Sequence, residues 1–170
     1  MVSFFHMSSV KFGIGDTLSG TGIGKIDPEI EAALEARRPP IIPRRHDSIF
    51  MRQSTDFSTC GIKSPGFIYR VKPQGRILRF DLKWIGEMQK AQLKRKYPDI
   101  QVGFSGYPDW SASLVEECCR EYWSGSGTSL PDWEFLAASC EVTEIVWSDL
   151  ILPSLTKGGM IIATRPNQGA

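Results

Sequence analysis

A short apolar run that leads into a turn places the strongest constraint on the fold of this chain. Residues 66–71 combine aromatic and β-branched side chains, and the turn residues Pro73 and Gly75 follow them. Residues 79–82 then alternate charged and apolar side chains, which is the period of a strand with one buried face. The sequence therefore predicts two short strands separated by a turn.

Other short strands are predicted along the chain. They are expected at residues 2–6, 48–51, 134–136, 141–147 and 160–164. The glycine-rich residues 13–24 are expected to form a loop. Strands do not alternate strictly with helices in this order, which predicts an α+β fold rather than a doubly wound parallel sheet.

Three helices are predicted from capping residues and apolar spacing. The first has Asp27 as its cap and Pro28 at its first position. The second is expected at residues 85–97, with Leu93 near its inner face, and the third begins at Asp109 as its cap. These helices are expected to group around the strands.

Composition and charge are those of an ordinary globular protein. The chain has 170 residues and a formal net charge of +1, so it has no general electrostatic attraction to nucleic acid or membranes. No apolar run approaches the ~20 residues that cross a bilayer, and the N-terminus lacks the pattern of a signal peptide. We therefore expect one cytoplasmic domain over residues 1–170.

The four cysteines show no spacing typical of a metal site. Cys118 and Cys119 are adjacent in a predicted helix, so they are expected to fill the core rather than to bind a metal. A reduced, metal-free protein is the simplest interpretation.

The end of the first strand carries the first candidates for chemistry. This segment, His6-Met7-Ser8-Ser9, would place an imidazole and two hydroxyls at the mouth of a cleft. Competing enzyme classes lack their motifs: the chain has no dinucleotide-binding GxGxxG, no P-loop, no GxSxG elbow, and few zinc ligands. The alternative interpretation of His6 is a core histidine with its hydrogen bonds satisfied.

Three segments resemble a known enzyme family. Residues 6–9 with residues 15–18 resemble the "His-Gly-Thr … Gly-Asp-Leu" opening of the rifamycin ADP-ribosyltransferases. Residues 48–51 are similar to their "Val-Tyr-Phe" motif, and residues 69–75 resemble their "Tyr-x-Val-Glu-Pro-Thr-Gly". The resemblance covers roughly residues 2–82, and a looser match falls near the end of the chain.

The resemblance implies an ADP-ribosyltransferase-like split β-sheet core with about three helices. It implies a mono-ADP-ribosyltransferase that cleaves NAD, its substrate, and transfers ADP-ribose to an acceptor without a metal. One alternative is an NAD-dependent RNA 2′-phosphotransferase. Another is a non-catalytic ligand-binding module of the same fold, because Met7 and Phe50 stand where the family has glycine and tyrosine.

The resemblance also implies roles for the NAD-binding residues. His6, with Met7, Ser8 and Ser9, would hold the nicotinamide ribose. Tyr69 and Phe50 would sandwich the nicotinamide ring, the alternative being ordinary core packing. Arg44 and Arg45 are hypothesised to bind the pyrophosphate with their forked donors, although surface arginines are common.

A carboxylate is needed near the ribose, because cleavage of the glycosidic bond develops positive charge there. Glu134 is the first candidate, because a charged side chain between the apolar residues Trp133 and Phe135 is unusual in a short strand and indicates a function. Strand alternation could instead turn Glu134 toward solvent. Asp81 is the second candidate.

The acceptor is not specified by the sequence. The basic residues 90–96, with Tyr97 beside them, slightly favour a macromolecule such as RNA, although a solvated face is the commoner interpretation of such a run. A protein or a small molecule is also compatible. A toxin-like enzyme of this kind would have an antitoxin or inhibitor protein as a partner, and no membrane partner is expected.

Overall fold

The structure is a computed structural model that describes residues 2–20, 26–57, 66–98 and 106–147. Within these ranges the chain forms two antiparallel sheets and three α-helices, which confirms the predicted α+β class. The strands are β1 (Phe4–Ser8), β2 (Thr17–Ser19), β3 (Ile49–Met51), β4 (Phe67–Gln74), β5 (Leu78–Asp81), β6 (Trp133–Ala137) and β7 (Ser139–Trp147). The helices are α1 (Pro28–Ala36), α2 (Leu82–Lys96) and α3 (Ala112–Ser124), and a 3-10 turn spans Arg45–Asp47.

The two sheets meet at one edge of each. The first has the order β1-β4-β7-β2, and the second has the order β3-β6-β5. Phe5 of β1 donates its backbone N–H to the carbonyl of Arg52 at 2.7 Å, and Arg52 donates its own to Phe5 at 2.9 Å. A side chain near this sheet junction therefore lies within reach of both sheets.

The core has two parts, and β6 contributes to both. One part joins residues of the two sheets, including Tyr69 of β4 and Phe135 of β6. The other lies between the second sheet and the helices, where Leu136 of β6 packs among residues of α1, α2 and α3. Because successive side chains of a strand point to opposite faces, β6 separates the two parts.

Helix caps explain where the helices begin. Asp27 accepts a hydrogen bond from the backbone N–H of Glu29 at 2.9 Å, and Pro28 follows, as predicted. The prediction of Asp109 as the cap of α3 is wrong. Ser111 is the cap and accepts from Leu114 N–H at 3.2 Å, while Asp109 forms an ion pair with Lys94.

Several boundaries differ from the sequence predictions for identifiable reasons. A strand, β2, lies inside the predicted glycine-rich loop, because it pairs with β7 and buries Leu18. Strand β4 continues through Pro73, and the turn comes at Gly75, whose φ is +77°. Leu93, predicted near the inner face of α2, is 40% exposed. The predicted strand at residues 160–164 lies outside the described residues.

Two further findings concern membranes and cysteines. No helix in the described ranges is long and apolar enough to cross a membrane. Cys118 and Cys119 are buried in α3, and burial raises the pKa of their thiols to about 12 and about 11. They fill the core, as predicted.

Candidate functional site

His6 lies at the sheet junction. It sits on β1, paired in register with Tyr69 of β4, and its Nδ1 lies 2.9 Å from the backbone carbonyl of Phe50 on β3. A carbonyl oxygen only accepts, so Nδ1 carries the hydrogen in this contact and the ring orientation is fixed. The imidazole is half-buried.

Tyr69 is buried and holds the loop that follows β1. Its hydroxyl donates to the carbonyl of Val10 at 3.1 Å and accepts from the N–H of Phe12 at 2.9 Å. Burial raises the pKa of this phenol. Its ring packs against Phe12 and Phe67, with centroids 5.7 and 6.0 Å away. These contacts are those of a core residue that positions the loop.

The end of β1 and the loop that follows it contain the other residues expected to bind the nicotinamide ribose. Met7 and Ser8 are half-buried, and Ser9 is exposed. Ser8 Oγ accepts from the N–H of Val10 at 3.0 Å, so the loop is shaped partly by its own hydroxyl. Hydroxyls and an imidazole therefore lie together near the end of β1.

A second arrangement, the buried arginine cluster, consists of Arg45, Glu134, Tyr122, Glu31 and the ring of Phe50. Arg45 Nη1 donates to both Glu134 and the Tyr122 hydroxyl, and Tyr122 also donates to Glu134. The Arg45 guanidinium lies 4.8 Å from the Phe50 ring centroid. Arg45, Glu134 and Tyr122 are 2%, 4% and 0% exposed.

Two carboxylates share the single guanidinium of this cluster. Glu31 Oε2 lies 3.5 Å from Arg45 Nε, outside good hydrogen-bonding geometry, and both Glu31 oxygens are buried without a hydrogen-bond partner. Burial raises the pKa of Glu31 and of Glu134, and the charge of Arg45 opposes the rise in each. The cluster therefore carries more acid than base inside the core.

Strand alternation puts Glu134 on the face opposite Trp133 and Phe135, as predicted. That face is not solvent, because the helices cover it and Tyr122 of α3 contacts Glu134. Arg45 is equally enclosed, whereas Arg44, the other arginine expected at the pyrophosphate, is exposed. The structure thus brings Arg45, Phe50 and Glu134 together inside the core.

Asp81 holds a loop and a helix together. It is fully buried and caps α2 by accepting from Lys83 N–H at 3.0 Å. Its other contacts are with the segment before β6: Thr128 N–H and Oγ1, each at 2.8 Å, and Asp132 N–H at 2.8 Å. A carboxylate that accepts four such hydrogen bonds is held in place by them.

An open groove lies beside the sheet junction. It has a volume of about 340 Å³ and is lined by Arg52, Gln53, Ser54, Asp56, Asp132, Trp133 and Phe135. Arg52 and Asp132 form an ion pair on its wall. Phe135 makes an edge contact with Phe4 of β1, with ring centroids 5.2 Å apart. We call this feature the junction groove.

Trp133 has a cation on its ring. The guanidinium carbon of Arg79 lies 4.2 Å from the Trp133 ring centroid, a cation–π contact. Gly127 lies against the ring edge, where an added Cβ would come within 2.7 Å of the indole. The indole is therefore held in place while it lines the groove.

Sequence reasoning missed Arg52 and Asp132. Each directly adjoins a strand that was predicted, Arg52 after β3 and Asp132 before β6. Polar residues at strand ends are a usable signal, but their pairing depends on β3 lying beside β6. The sequence around either strand does not reveal that β3 and β6 are neighbours in the sheet.

The basic run of α2 is paired with acids. Lys90 lies 2.5 Å from Glu87, and Lys96 lies 3.0 Å from Asp27. The remaining partners are Asp109 for Lys94 and Glu29 for Arg95. The run expected to attract RNA is thus a charge-balanced surface.

Within the described residues, no group of three or more histidine, cysteine, aspartate or glutamate side chains is arranged to hold a metal ion. No protein-family model matches the chain. No curated protein matches it either.

Proposed function

We propose that this protein is a mono-ADP-ribosyltransferase that cleaves NAD and transfers its ADP-ribose to an acceptor. One observation carries the proposal: the three segments that resemble the rifamycin ADP-ribosyltransferases meet in space. His6, from the first segment, contacts the carbonyl of Phe50, from the second, and pairs with Tyr69, from the third. The three segments lie on adjacent strands, so the residues that carry the resemblance surround one sheet junction.

The fold is compatible with this proposal. The resemblance implies a split β-sheet core, and the two sheets here meet at the bridge between Phe5 and Arg52, beside His6. For NAD, the half-buried His6 and Ser8 and the exposed Ser9 offer polar groups to ribose hydroxyls. The junction groove adds the aromatic surface of Trp133, which would contact the nicotinamide ring in place of the buried Tyr69.

The carboxylate of the mechanism is assigned to Asp132 in this proposal. The C–N glycosidic bond breaks, nicotinamide leaves with the electron pair, and the ribose becomes oxocarbenium-like until the acceptor adds to it. A carboxylate must then lie at an open surface near the ribose. Asp132 lines the groove, whereas Glu134 and Asp81 are enclosed by their hydrogen bonds. Glu134 would act by positioning β6 through Arg45.

The test is nicotinamide release from NAD labelled in the nicotinamide ring, with a cell lysate as the source of acceptor. We expect Asp132→Asn to lower the rate by about 100-fold, the size typical of a lost electrostatic contact in a transition state. We expect Glu134→Gln to release nicotinamide normally per folded molecule, with a lower free energy of unfolding. Near-normal release by Asp132→Asn and none by folded Glu134→Gln would return the catalytic role to Glu134.

The non-catalytic module is the second candidate, because the two acids expected for catalysis are both held in structural contacts. NAD binding without nicotinamide release in any lysate would favour it.

The RNA 2′-phosphotransferase would need several arginines that converge on a phosphate. Arg45 is buried, and Arg70 pairs with Glu144 at 2.7 Å and with Ser3 at 2.9 Å, so no common phosphate site forms among them.

A further inference from the structure

We propose that Thr128 is a positioning residue for the Asp132 carboxylate: with Asp81 it holds the chain that leads into β6 against the start of α2. The expected effect on nicotinamide release rests on the proposed function, in which Asp132 lies near the ribose. The hydrogen bonds that hold the chain are independent of that function.

Residues 125–132, which we call the α3–β6 segment, form neither helix nor strand. The segment begins at Gly125, which ends α3 with a φ of +74°, and Asp132 is its last residue. A segment without a regular backbone ladder has to find partners for its polar groups elsewhere. The contacts that it makes therefore decide where Asp132 lies.

One carboxylate, that of Asp81, joins two points of this segment. Its Oδ2 accepts hydrogen bonds from the N–H and from the Oγ1 hydroxyl of Thr128, each at 2.8 Å. Its Oδ1 accepts from the N–H of Asp132, also at 2.8 Å. Because the two oxygens belong to one rigid group, a displacement of Thr128 would displace the backbone of Asp132 as well.

Asp132 is also held through its carbonyl. This oxygen accepts from the backbone N–H of Leu82, in the first turn of α2, at 2.9 Å. The N–H and the carbonyl of Asp132 are thus both bound at the start of α2, and its side chain pairs with Arg52. The place of the carboxylate at the junction groove follows from these contacts.

Asp81 makes more hydrogen bonds than a helix cap needs. A cap satisfies one of the first free N–H groups of a helix, and Asp81 does so with Lys83 N–H at 3.0 Å. Its three further hydrogen bonds all come from the α3–β6 segment. They do not start the helix. Their effect is to fix a segment whose last residue lines the junction groove.

Thr128 can be changed without removing the helix cap. Thr128→Val deletes the hydroxyl but keeps the shape of the side chain and the N–H bond to Asp81, so we expect it to fold. Thr128→Ser keeps both donors. The matched control is Thr143→Val, at an exposed position of β7, which deletes a hydroxyl that donates to the carbonyl of Arg70 at 3.1 Å.

Two measurements are made on the full chain. The first is amide hydrogen exchange by NMR, in which we expect the N–H of Asp132 to exchange about tenfold faster in Thr128→Val. The second is nicotinamide release at varied NAD with a fixed amount of lysate. We expect the maximal rate to fall about tenfold and the KM for NAD to stay within about twofold, because a misplaced carboxylate weakens transition-state stabilisation more than binding.

The other variants separate positioning from stability. Thr128→Ser should restore both the exchange rate and the maximal rate to within about twofold, because it keeps the hydroxyl donor. Thr143→Val should change neither. A contact that served stability alone would lower the free energy of unfolding in Thr128→Val and leave the maximal rate per folded molecule unchanged.

Unchanged exchange of the Asp132 N–H in Thr128→Val would overturn the proposal, and so would a normal maximal rate. With release by the unmodified chain, either result leaves the proposed function intact. If the unmodified chain releases no nicotinamide with any lysate, the proposed function fails. The exchange of Asp132 then decides by itself whether Thr128 holds this residue in place.

Discussion

Two arginine–carboxylate pairs each join the region of β3 to that of β6, and they differ in what surrounds them. Arg45 and Glu134 are enclosed by the helices and share the Tyr122 hydroxyl. Arg52 and Asp132 line an open groove, and the Asp132 side chain keeps 26% of its surface exposed. The same chemistry thus occurs once where no ligand can reach it and once where a ligand can. Burial, rather than residue type, separates a structural pair from a candidate site.

Energetics differ between the two pairs for the same reason. Removing one member of a buried pair leaves an uncompensated charge in the core, which costs about 3–5 kcal/mol. In the groove pair the Arg52 side chain is 10% exposed and the Asp132 side chain 26%, so water reaches the carboxylate when the pair opens, and its loss should cost less than that of the buried pair. We therefore expect changes in the buried pair to alter stability and changes in the groove pair to alter activity.

The largest expected effect is that of Arg45→Ala. It leaves Glu134 and Glu31 in the core without their cation, so the free energy of unfolding should fall by about 3–5 kcal/mol. Urea denaturation measures the change, and Arg44→Ala, at an exposed position, is the matched control with an expected change within about 0.5 kcal/mol. Equal losses in the two variants would remove the distinction between a buried pair and a surface arginine.

A smaller effect is expected at the groove from Gly127→Ala. The added Cβ would approach the Trp133 indole within 2.7 Å, so the indole must shift, at a cost of about 1–3 kcal/mol. The variant should also slow nicotinamide release, because Trp133 would contact the nicotinamide ring in the proposed function. Gly86→Ala is the control: its Cβ meets nothing within 4 Å, and a helical alanine should raise stability by about 0.5–1 kcal/mol. An unaltered rate of nicotinamide release in Gly127→Ala would show that Trp133 does not contact the nicotinamide ring.

The smallest effect is the pH dependence caused by Glu31. Its folded-state pKa is raised by burial, so its contribution to stability is present below the ordinary carboxyl pKa of 4.5 and is lost as pH rises through the folded value. Glu31→Gln should therefore flatten the fall in unfolding free energy above pH 4.5. Thermal denaturation between pH 4 and 8 measures it. An unchanged slope in the variant would show that another group titrates.

The capping and strand signals were strong enough to be read locally. Asp27 and Pro28 open α1, the run at residues 66–71 forms the middle of β4, and the adjacent Cys118 and Cys119 fill the core. Each of these depends on propensity, capping or side-chain period within a few residues. The resemblance of three segments to the rifamycin ADP-ribosyltransferases also depends on the sequence alone.

The environment of each polar residue was decided by the tertiary structure. Strand alternation predicted the face of β6 on which Glu134 lies, but that face is buried because α3 packs against it. Arg52 pairs with Asp132 because β3 and β6 are neighbours in the sheet. A carboxylate has the same local signature whether it caps a helix, as Asp81 does, or lines a groove. The energy of a charge depends on the solvent and the partners around it, and distant segments of the chain supply both.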